Sequence, residues 1–426
     1  MIIDFQPVQR VAMLSVHTSP LAKLGQKKTG GMNVYVRDFT RELVRRGIQV
    51  DVFTRAASAE APYIEYDPAC GCRVIHIPAG PRRSIANDDI ANYLDEFAAG
   101  VLQFAHDYSL RYDLIHAHYW LSGVVAGKLR AAWGPIPIVQ MYHTLGHMKN
   151  QIAQSPAELA APVRLMGEAH AARVADILVA ATPAEESQLV ELYGADPAKI
   201  EVIPPGVDLS RFEPIRPCVA RRRLGLPANK RLVLFVGRIE PLKGVDSLLQ
   251  ATAILKERQP DLMTGVRVGI IGGNPAAPDA ELARLQTLHA QLQLDSTAEF
   301  LGAKDQSLLP DYYAAADLVV MPSRYESFGM VALEAMAVGT PVIASRVGGL
   351  AHLVQNGQTG YLTPPNCPQA LAERMWQVLS DADLRARLGQ QAREHARRFE
   401  WSQVVDRMLH LYATLAEPVE QLAMTF

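Results

Sequence analysis

Glu326 and Glu334 lie eight residues apart in SRYESFGMVALEAMAVGTP, residues 323–341. The stretch between them is apolar enough for a buried helix, yet it carries a carboxylate near each end. Ionised carboxylates accept hydrogen bonds from paired vicinal hydroxyls, so two of them around one turn suit a polyol ligand. Ser327, Phe328 and Gly329 stand where the helix would begin. The unpaired N–H groups of its first turn, at the positive end of its dipole, would then favour a phosphate. The plainer reading makes Glu334 a helix-face charge and Glu326 a loop residue that complements the dipole, and spacing alone weighs the two readings about equally.

Other stretches have the same character. GRIEPLKG (237–244) follows LVLFVG, a run of buried-strand length, and holds Arg238 and Lys243 on either side of Pro241. A turn there would aim a guanidinium fork and a point-charge ammonium at one diphosphate; solvated loop charges are the common alternative. KTGGMNVY (28–35) places Gly30 and Gly31 at a loop-to-helix junction, where glycine allows close backbone approach to phosphate. Neither it nor IIGGNPAAP (270–278) has the GxGxxG spacing of a dinucleotide site. LIHAHYWLSG (114–123) sets His116 and His118 at a strand end, and MYHTLGHMKN (141–150) adds His143, Thr144, His147 and Lys149 at another. His17 ends a third strand, in SVHTSP. The histidine pair suggests metal, but no third ligand is evident at tetrahedral-site spacing, so no metal is expected. There is no GxSxG elbow and no P-loop lysine.

These residues need elements to hold them. The 426-residue chain suits two or three domains, and its formal net charge of −2 lacks the basic excess of a nucleic-acid binder. Any anion must therefore be met by a few placed cations. Cys70, Cys72, Cys218 and Cys367 read as buried or loop thiols of a reducing compartment. No leader-like start and no charge-free run of about 18 residues is seen, so the expected location is cytoplasmic with no membrane span. Apolar runs alternate with helix-period segments along both halves, which predicts parallel sheets covered on both faces. Predicted helices include 32–46, 88–106, 121–132, 162–174, 245–258 and 402–415. PPGVDLSRFEPIRP (204–217) interrupts the rhythm with prolines and reads as a linker.

GRIEPLK, ESFGMVALEAMAVGTPVIAS, TGGMN and HAHYW together resemble the retaining glycosyltransferases of family 4, and the resemblance runs in order along nearly the whole chain. It implies an α/β GT-B fold, two Rossmann-like parallel-sheet domains facing a cleft. The implied division is an acceptor-binding domain over 1–206, a linker over 207–217, a nucleotide-sugar-binding domain over 218–400, and a helix in 401–426 crossing back to the first domain. The position matching Glu334 holds ribose hydroxyls in that family, and the one matching Glu326 holds hydroxyls of the donor sugar. Backbone at Phe328, Gly329, Met330 and Val331 meets the sugar and diphosphate. Arg238 and Lys243 match the cations on the leaving diphosphate, Gly30 and Gly31 the glycines near its distal phosphate, and His118 the histidine beside the reacting centre. The implied catalytic set is thus His118, Arg238, Lys243 and Glu326. No cofactor is required by this scheme, Mg2+ at most stimulating it, and the donor is a UDP-sugar.

Within the family, SVHTSPLA, GGMNVYV and HYWLSG resemble the mycothiol-pathway enzymes that join N-acetylglucosamine from UDP to inositol phosphate. KLGQKKTGG and HTLGHMK resemble in part the sucrose-phosphate synthases, which use UDP-glucose and fructose 6-phosphate. Both grip a phosphorylated acceptor, implying acceptor contacts at His17, Asn33, Tyr119, Thr144, Lys149 and Arg164. A lysine used by both branches aligns with Asn87 here; Arg82, Arg83, Lys27 or Lys28 would have to replace it. The acceptor-side loops tilt the expectation to UDP-glucose and fructose 6-phosphate, with the inositol phosphate reaction as its alternative. A sugar-nucleotide 2-epimerase, a non-catalytic sugar-nucleotide-binding protein and a dehydrogenase are the rivals. Oligomeric state is left open by the sequence.

Overall fold

The computed structural model describes residues 8–22, 30–153 and 156–416. Lys27 and Lys28 lie outside the described residues. The chain divides into two compact units, the first formed by 1–22, 31–204 and 401–426, the second by 23–30 and 205–400.

Short runs, largely buried except in the edge strands β3 and β8, make the first unit's sheet: β1 (Arg10–Leu14), β2 (Gln49–Arg55), β3 (Ile64–Tyr66), β4 (Arg73–Ile77), β5 (Leu114–His118), β6 (Ile138–Met141), β7 (Ile177–Ala180) and β8 (Ile200–Val202). Their order is β3-β4-β2-β1-β5-β6-β7-β8, and every described pairing is parallel except β3 with β4. The covering helices are α1 (Gly31–Arg45), α2 (Leu94–Asp107), α3 (Trp120–Trp133), α4 (Gly146–Ile152), α5 (Pro162–Val174) and α6 (Pro183–Tyr193). α3 packs on α5 at glycines: a Cβ on Gly123 would lie 2.4 Å from the Ala171 Cβ, and one on Gly167 only 2.2 Å from the Trp120 ring. The helix predicted over 88–106 is interrupted. Tyr93 leaves helical backbone (φ −120°, ψ 14°) where its ring lies against Gly80, so a short helix at Asn87–Ile90 and a 3-10 turn precede α2.

The second unit holds β9 (Arg231–Val236), β10 (Val266–Ile271), β11 (Ala298–Phe300), β12 (Leu318–Met321), β13 (Val342–Ser345) and β14 (Gly360–Thr363), all parallel, in the order β11-β10-β9-β12-β13-β14. Its helices include α7 (Val245–Arg258), α8 (Leu309–Ala315), α9 (Met330–Val338), α10 (Pro368–Ser380) and α11 (Ala382–Ala396). Pro217, expected to close a linker, begins a further helix (Pro217–Leu224), as its fixed φ and missing N–H allow. Each sheet is doubly wound, with strand order reversing between β1 and β5 in one and between β9 and β12 in the other. Ligands of such sheets bind outside the carboxyl ends of strands at that reversal. In the second unit those two ends carry Arg238 and Glu326.

The last described segment belongs to the first unit as α12 (Trp401–Ala416), which packs on α1. The Tyr35 and Trp401 rings meet edge to face at 5.2 Å, and Arg46 bonds both the Asp406 carboxylate and the Ser402 carbonyl.

Candidate functional site

In the second unit, β9 runs into a loop that closes as a 3-10 turn at Pro241–Lys243, ended by Gly244 at φ 65°. Glycine is required there: a Cβ would sit 2.0 Å from the Pro322 carbonyl oxygen at the end of β12. The two strand ends are thus tied together, and the Arg324 N–H donates to the Leu242 carbonyl at 2.8 Å. Lys243 Nζ donates to Glu326 Oε2 at 2.6 Å, with both side chains less than a fifth exposed. Arg238 is far more open, pairing with Glu240 at 2.6 Å.

α9 begins at Met330 behind Gly329 (φ 107°), with no side-chain cap and no acidic residue in its first turn. That leaves a bare helix N-terminus preceded by Phe328, which is itself buried. Glu334 lies in the second turn, only 4% exposed, and takes a 2.7 Å hydrogen bond from the Tyr313 hydroxyl on α8. Burial, followed by Glu334, pushes the Tyr313 phenol well above its ordinary value, so it remains a donor. A carboxylate held this way does not fit the reading of Glu334 as a solvated helix-face charge.

In the first unit, period-two spacing along β5 sends His116 and His118 to one face, with their rings stacked at 4.4 Å. His118 is fully buried. Its Nδ1 meets His143 Nε2 and its Nε2 meets the Met13 sulfur, each at 2.9 Å. β5 ends at His118, whose side chain is buried with both ring nitrogens engaged by protein groups. His143, just past β6 at φ 63°, is the partly exposed member of the pair. Burial pushes His116 and His143 down to about 3 and His118 well below its ordinary value, with neighbouring imidazoles adding to the effect on His116 and His118. All three are neutral near pH 7. A thioether sulfur can only accept, so His118 carries its proton on Nε2 and presents a lone pair at Nδ1. His143 must then donate from Nε2, leaving its Nδ1 as an acceptor.

The phosphate-expected residues gather beside it. Arg164 on α5 donates to Glu168 at 2.8 Å and to the Thr144 carbonyl and hydroxyl at 3.1 and 3.2 Å, and its guanidinium lies 5.2 Å from the Tyr119 ring centroid. Tyr119, at φ 73°, also faces the His17 ring at 4.5 Å. Glu168, fully buried, binds the Gly146 N–H at 3.0 Å and the Tyr193 hydroxyl at 2.5 Å. Lys149 follows on α4, partly exposed. Asn33 is buried and donates to the Thr18 hydroxyl and the Ser19 carbonyl, both at 2.7 Å. Gly31 opens α1, with Gly30 before it. Asn87 begins its short helix with Oδ1 buried and unpartnered among the described residues; Arg82 reaches the Ala61 carbonyl at 3.1 Å.

Sequence reasoning did not find Met13, Glu168, Tyr313, or the pair Gly348-Gly349. The Gly349 N–H donates to the Glu326 carbonyl at 2.9 Å, and a Cβ on Gly348 would lie 2.0 Å from that oxygen. The double glycine after the predicted strand 341–345 was the available signal, as was the Arg164–Glu168 helical spacing of four.

Among the described residues no helix is long and apolar enough to cross a membrane. The family described as Glycosyl transferases group 1 matches residues 219–395, and Glycosyltransferase Family 4 matches residues 29–211. The D-inositol 3-phosphate glycosyltransferase of Thermomonospora curvata is 41% identical over 98% of each chain. The enzyme of the same description from Kineococcus radiotolerans is 44% identical over 95% of each. Among solved structures, sucrose-phosphate synthase from Thermosynechococcus elongatus matches 96% of this chain and 99% of its own, with TM-score 0.86 and 36% identity. The Anabaena protein HepE in complex with UDP and glucose shares the fold at TM-score 0.75 and 24% identity, over 95% of this chain and all of that one.

Proposed function

Since this chain belongs to glycosyltransferase family 4 and is a glycosyltransferase of the GT-B fold, we propose that it transfers N-acetylglucosamine from UDP to the hydroxyl of an inositol phosphate. The observation that carries this reading is the identity of 41–44% over at least 95% of relatives described as D-inositol 3-phosphate glycosyltransferases. It displaces fructose 6-phosphate, the acceptor first expected from the loops, to second place. That second reading keeps the support of the sucrose-phosphate synthase structure, at 36% identity.

In this reaction the anomeric C–O bond to the diphosphate breaks as a new C–O bond forms to the acceptor oxygen on the same face. The departing diphosphate takes the acceptor's proton, so no protein nucleophile is called for. Negative charge grows on the diphosphate, where Arg238, Lys243 and the bare N-terminus of α9 stabilise it, as fixed charges and dipoles do best in a partly dry site. Glu334 accepts from the ribose hydroxyls. Glu326 takes the sugar hydroxyls and releases Lys243 to the diphosphate. His143, with Nδ1 free to accept, replaces His118 as the histidine on the sugar, while Arg164, Thr144, Tyr119 and Lys149 receive the acceptor phosphate. No step is routed through a metal ion.

The test is release of UDP from UDP-N-acetylglucosamine or UDP-glucose, each with inositol phosphate or fructose 6-phosphate. Turnover confined to UDP-N-acetylglucosamine with inositol phosphate is the expected result. Turnover confined to UDP-glucose with fructose 6-phosphate would install the second reading.

A further inference from the structure

The loop joining β3 to β4, Asp67 to Cys72, has chemistry that sugar transfer does not use. It is a tightly closed turn: the Asp67 N–H donates to the Cys72 carbonyl at 2.9 Å, and the N–H groups of Cys70 and Gly71 both donate back to the Asp67 carbonyl at 3.3 and 2.7 Å. Gly71 supplies the left-handed conformation between the two cysteines, at φ 71°. The Asp67 carboxylate and both sulfurs lie within 4.8 Å of one another. Asp67 is not free to act as a third ligand, however. Arg41 of α1 grips both its oxygens, at 2.7 and 2.9 Å, and the Ala69 N–H takes one of them again at 2.9 Å. What remains is a dithiol on a rigid loop beside a guanidinium, with Cys70 partly exposed and Cys72 buried.

We propose that Cys70 and Cys72 form a thiol–disulfide exchange site that is oxidised to an intramolecular disulfide by small-molecule disulfides. The Cys70 thiolate attacks one sulfur of R–S–S–R, forming Cys70–S–S–R and expelling R–S⁻. Cys72 then gives up its proton and attacks the Cys70 sulfur, closing Cys70–S–S–Cys72 and expelling the second R–S⁻. The protein loses two electrons and two protons, and the small disulfide becomes two thiols.

The division of labour follows from the surroundings. The Cys72 thiol, donating to the Cys70 sulfur, draws the Cys70 thiol down to about 7 against burial, with the Cys72 N–H and Arg41 assisting and Asp67 opposing. Cys72 is held as the thiol by Cys70 and by burial. Cys70 is therefore the attacking group and Cys72 the resolving one. A disulfide spanning one intervening residue is strained, and strained bonds are reducible, so the modification is reversible.

The test uses the full-length chain, reduced and then exposed to glutathione disulfide, quenched with N-ethylmaleimide and mapped by peptide mass. Expected is loss of two hydrogens in the peptide holding Cys70 and Cys72, reversed by glutathione, while the exposed Cys218 still takes the maleimide. Cys72→Ser should trap glutathione on Cys70, and Cys70→Ser should leave Cys72 without an adduct. At neutral pH Cys70 should also alkylate roughly three-fold faster than Cys218, the gain in thiolate being offset by its lower nucleophilicity. Alkylation of Cys70 no faster than Cys218, or a glutathione adduct that persists on Cys70 with Cys72 intact, would overturn the proposal. Protection of both thiols by stoichiometric Zn2+, with no disulfide formed, would also overturn it in favour of a metal site.

Discussion

Lys243 donates to Glu326 across 2.6 Å, joining the loop that follows β9 to the loop that follows β12. In the proposed reaction these two groups serve different parts of the substrate, the diphosphate and the sugar, so each neutralises the other until the substrate arrives. Removing the cation should strip transition-state stabilisation without disturbing the acceptor. Lys243→Ala is expected to lower kcat by about 10²–10³-fold, the usual cost of losing one such donor. Steady-state kinetics with acceptor saturating would check it, and a kcat within three-fold of wild type would remove Lys243 from the diphosphate.

Tyr313→Phe deletes the hydroxyl that holds Glu334 and touches no proposed ligand. Losing one hydrogen-bond donor to a buried carboxylate costs about 1–3 kcal/mol. The expected signature is lower stability together with a raised KM for the sugar nucleotide and an unchanged KM for the acceptor. A change in acceptor KM alone would show that Glu334 does not serve the ribose.

Met13 sets a tautomer from beneath the site. Replacing it by leucine keeps the core volume nearly constant, a swap that typically costs under about 1.5 kcal/mol, but removes the sulfur that fixes the proton on His118 Nε2. His118 and His143 are then free to exchange donor and acceptor roles. Met13→Leu should therefore reduce kcat several-fold with little loss of stability, and nitrogen NMR of labelled histidines should show mixed tautomers. Unmixed tautomers with normal kcat would mean that the sulfur does not govern the pair.

Acidification should weaken the first unit. His116 is fully buried and its pKa is pushed down from the ordinary value to about 3. An unfolded chain takes up its proton near pH 6.5, so the stability of the neutral form is present above that value and is lost as pH falls toward 3. The slope is about 1.4 kcal/mol per pH unit for one such group. Glu185 runs the other way: burial raises its carboxyl to about 7, so its contribution is present below about 4.5 and lost as pH rises through 7. The three imidazoles outnumber that one carboxyl. Urea unfolding should give a smaller free energy near pH 5 than near pH 7.5, with the difference reduced in His116→Gln; equal values at both pH settings would refute it.

Much of this was readable from residue type and period. The helices over 162–174 and 245–258 were read with their observed bounds because a proline opens the first and the second lies between Gly244 and Pro260. Lys243 and Glu326 each follow a strand, and loops at the ends of neighbouring parallel strands gather, which is why the two meet. What escaped was anything that depends on contacts distant in sequence. Tyr313 meets Glu334 from another helix, and Met13 meets His118 from the neighbouring strand, 105 residues away. His118 was read at a strand end and β5 does end there, opposite Met141 of β6, but the sequence did not show that its ring nitrogens meet His143 and Met13. The edge strand β3, three residues long and antiparallel, carries too little pattern to be seen at all.

The discontinuous make-up of the first unit bears on how the chain is made. Residues 31–204 leave the ribosome well before α12, which covers the buried face of Tyr35 and Phe39 on α1 and supplies the Tyr412 hydroxyl to His116 at 2.6 Å. Synthesis proceeds at about 5–20 residues per second, so the intervening second unit imposes a delay of at least several seconds during which that aromatic face has no cover. The second unit, apart from 23–30, is one continuous span and has all its strands before α12 is translated. The nascent chain is thus exposed to premature association at α1, and the first half finishes folding last.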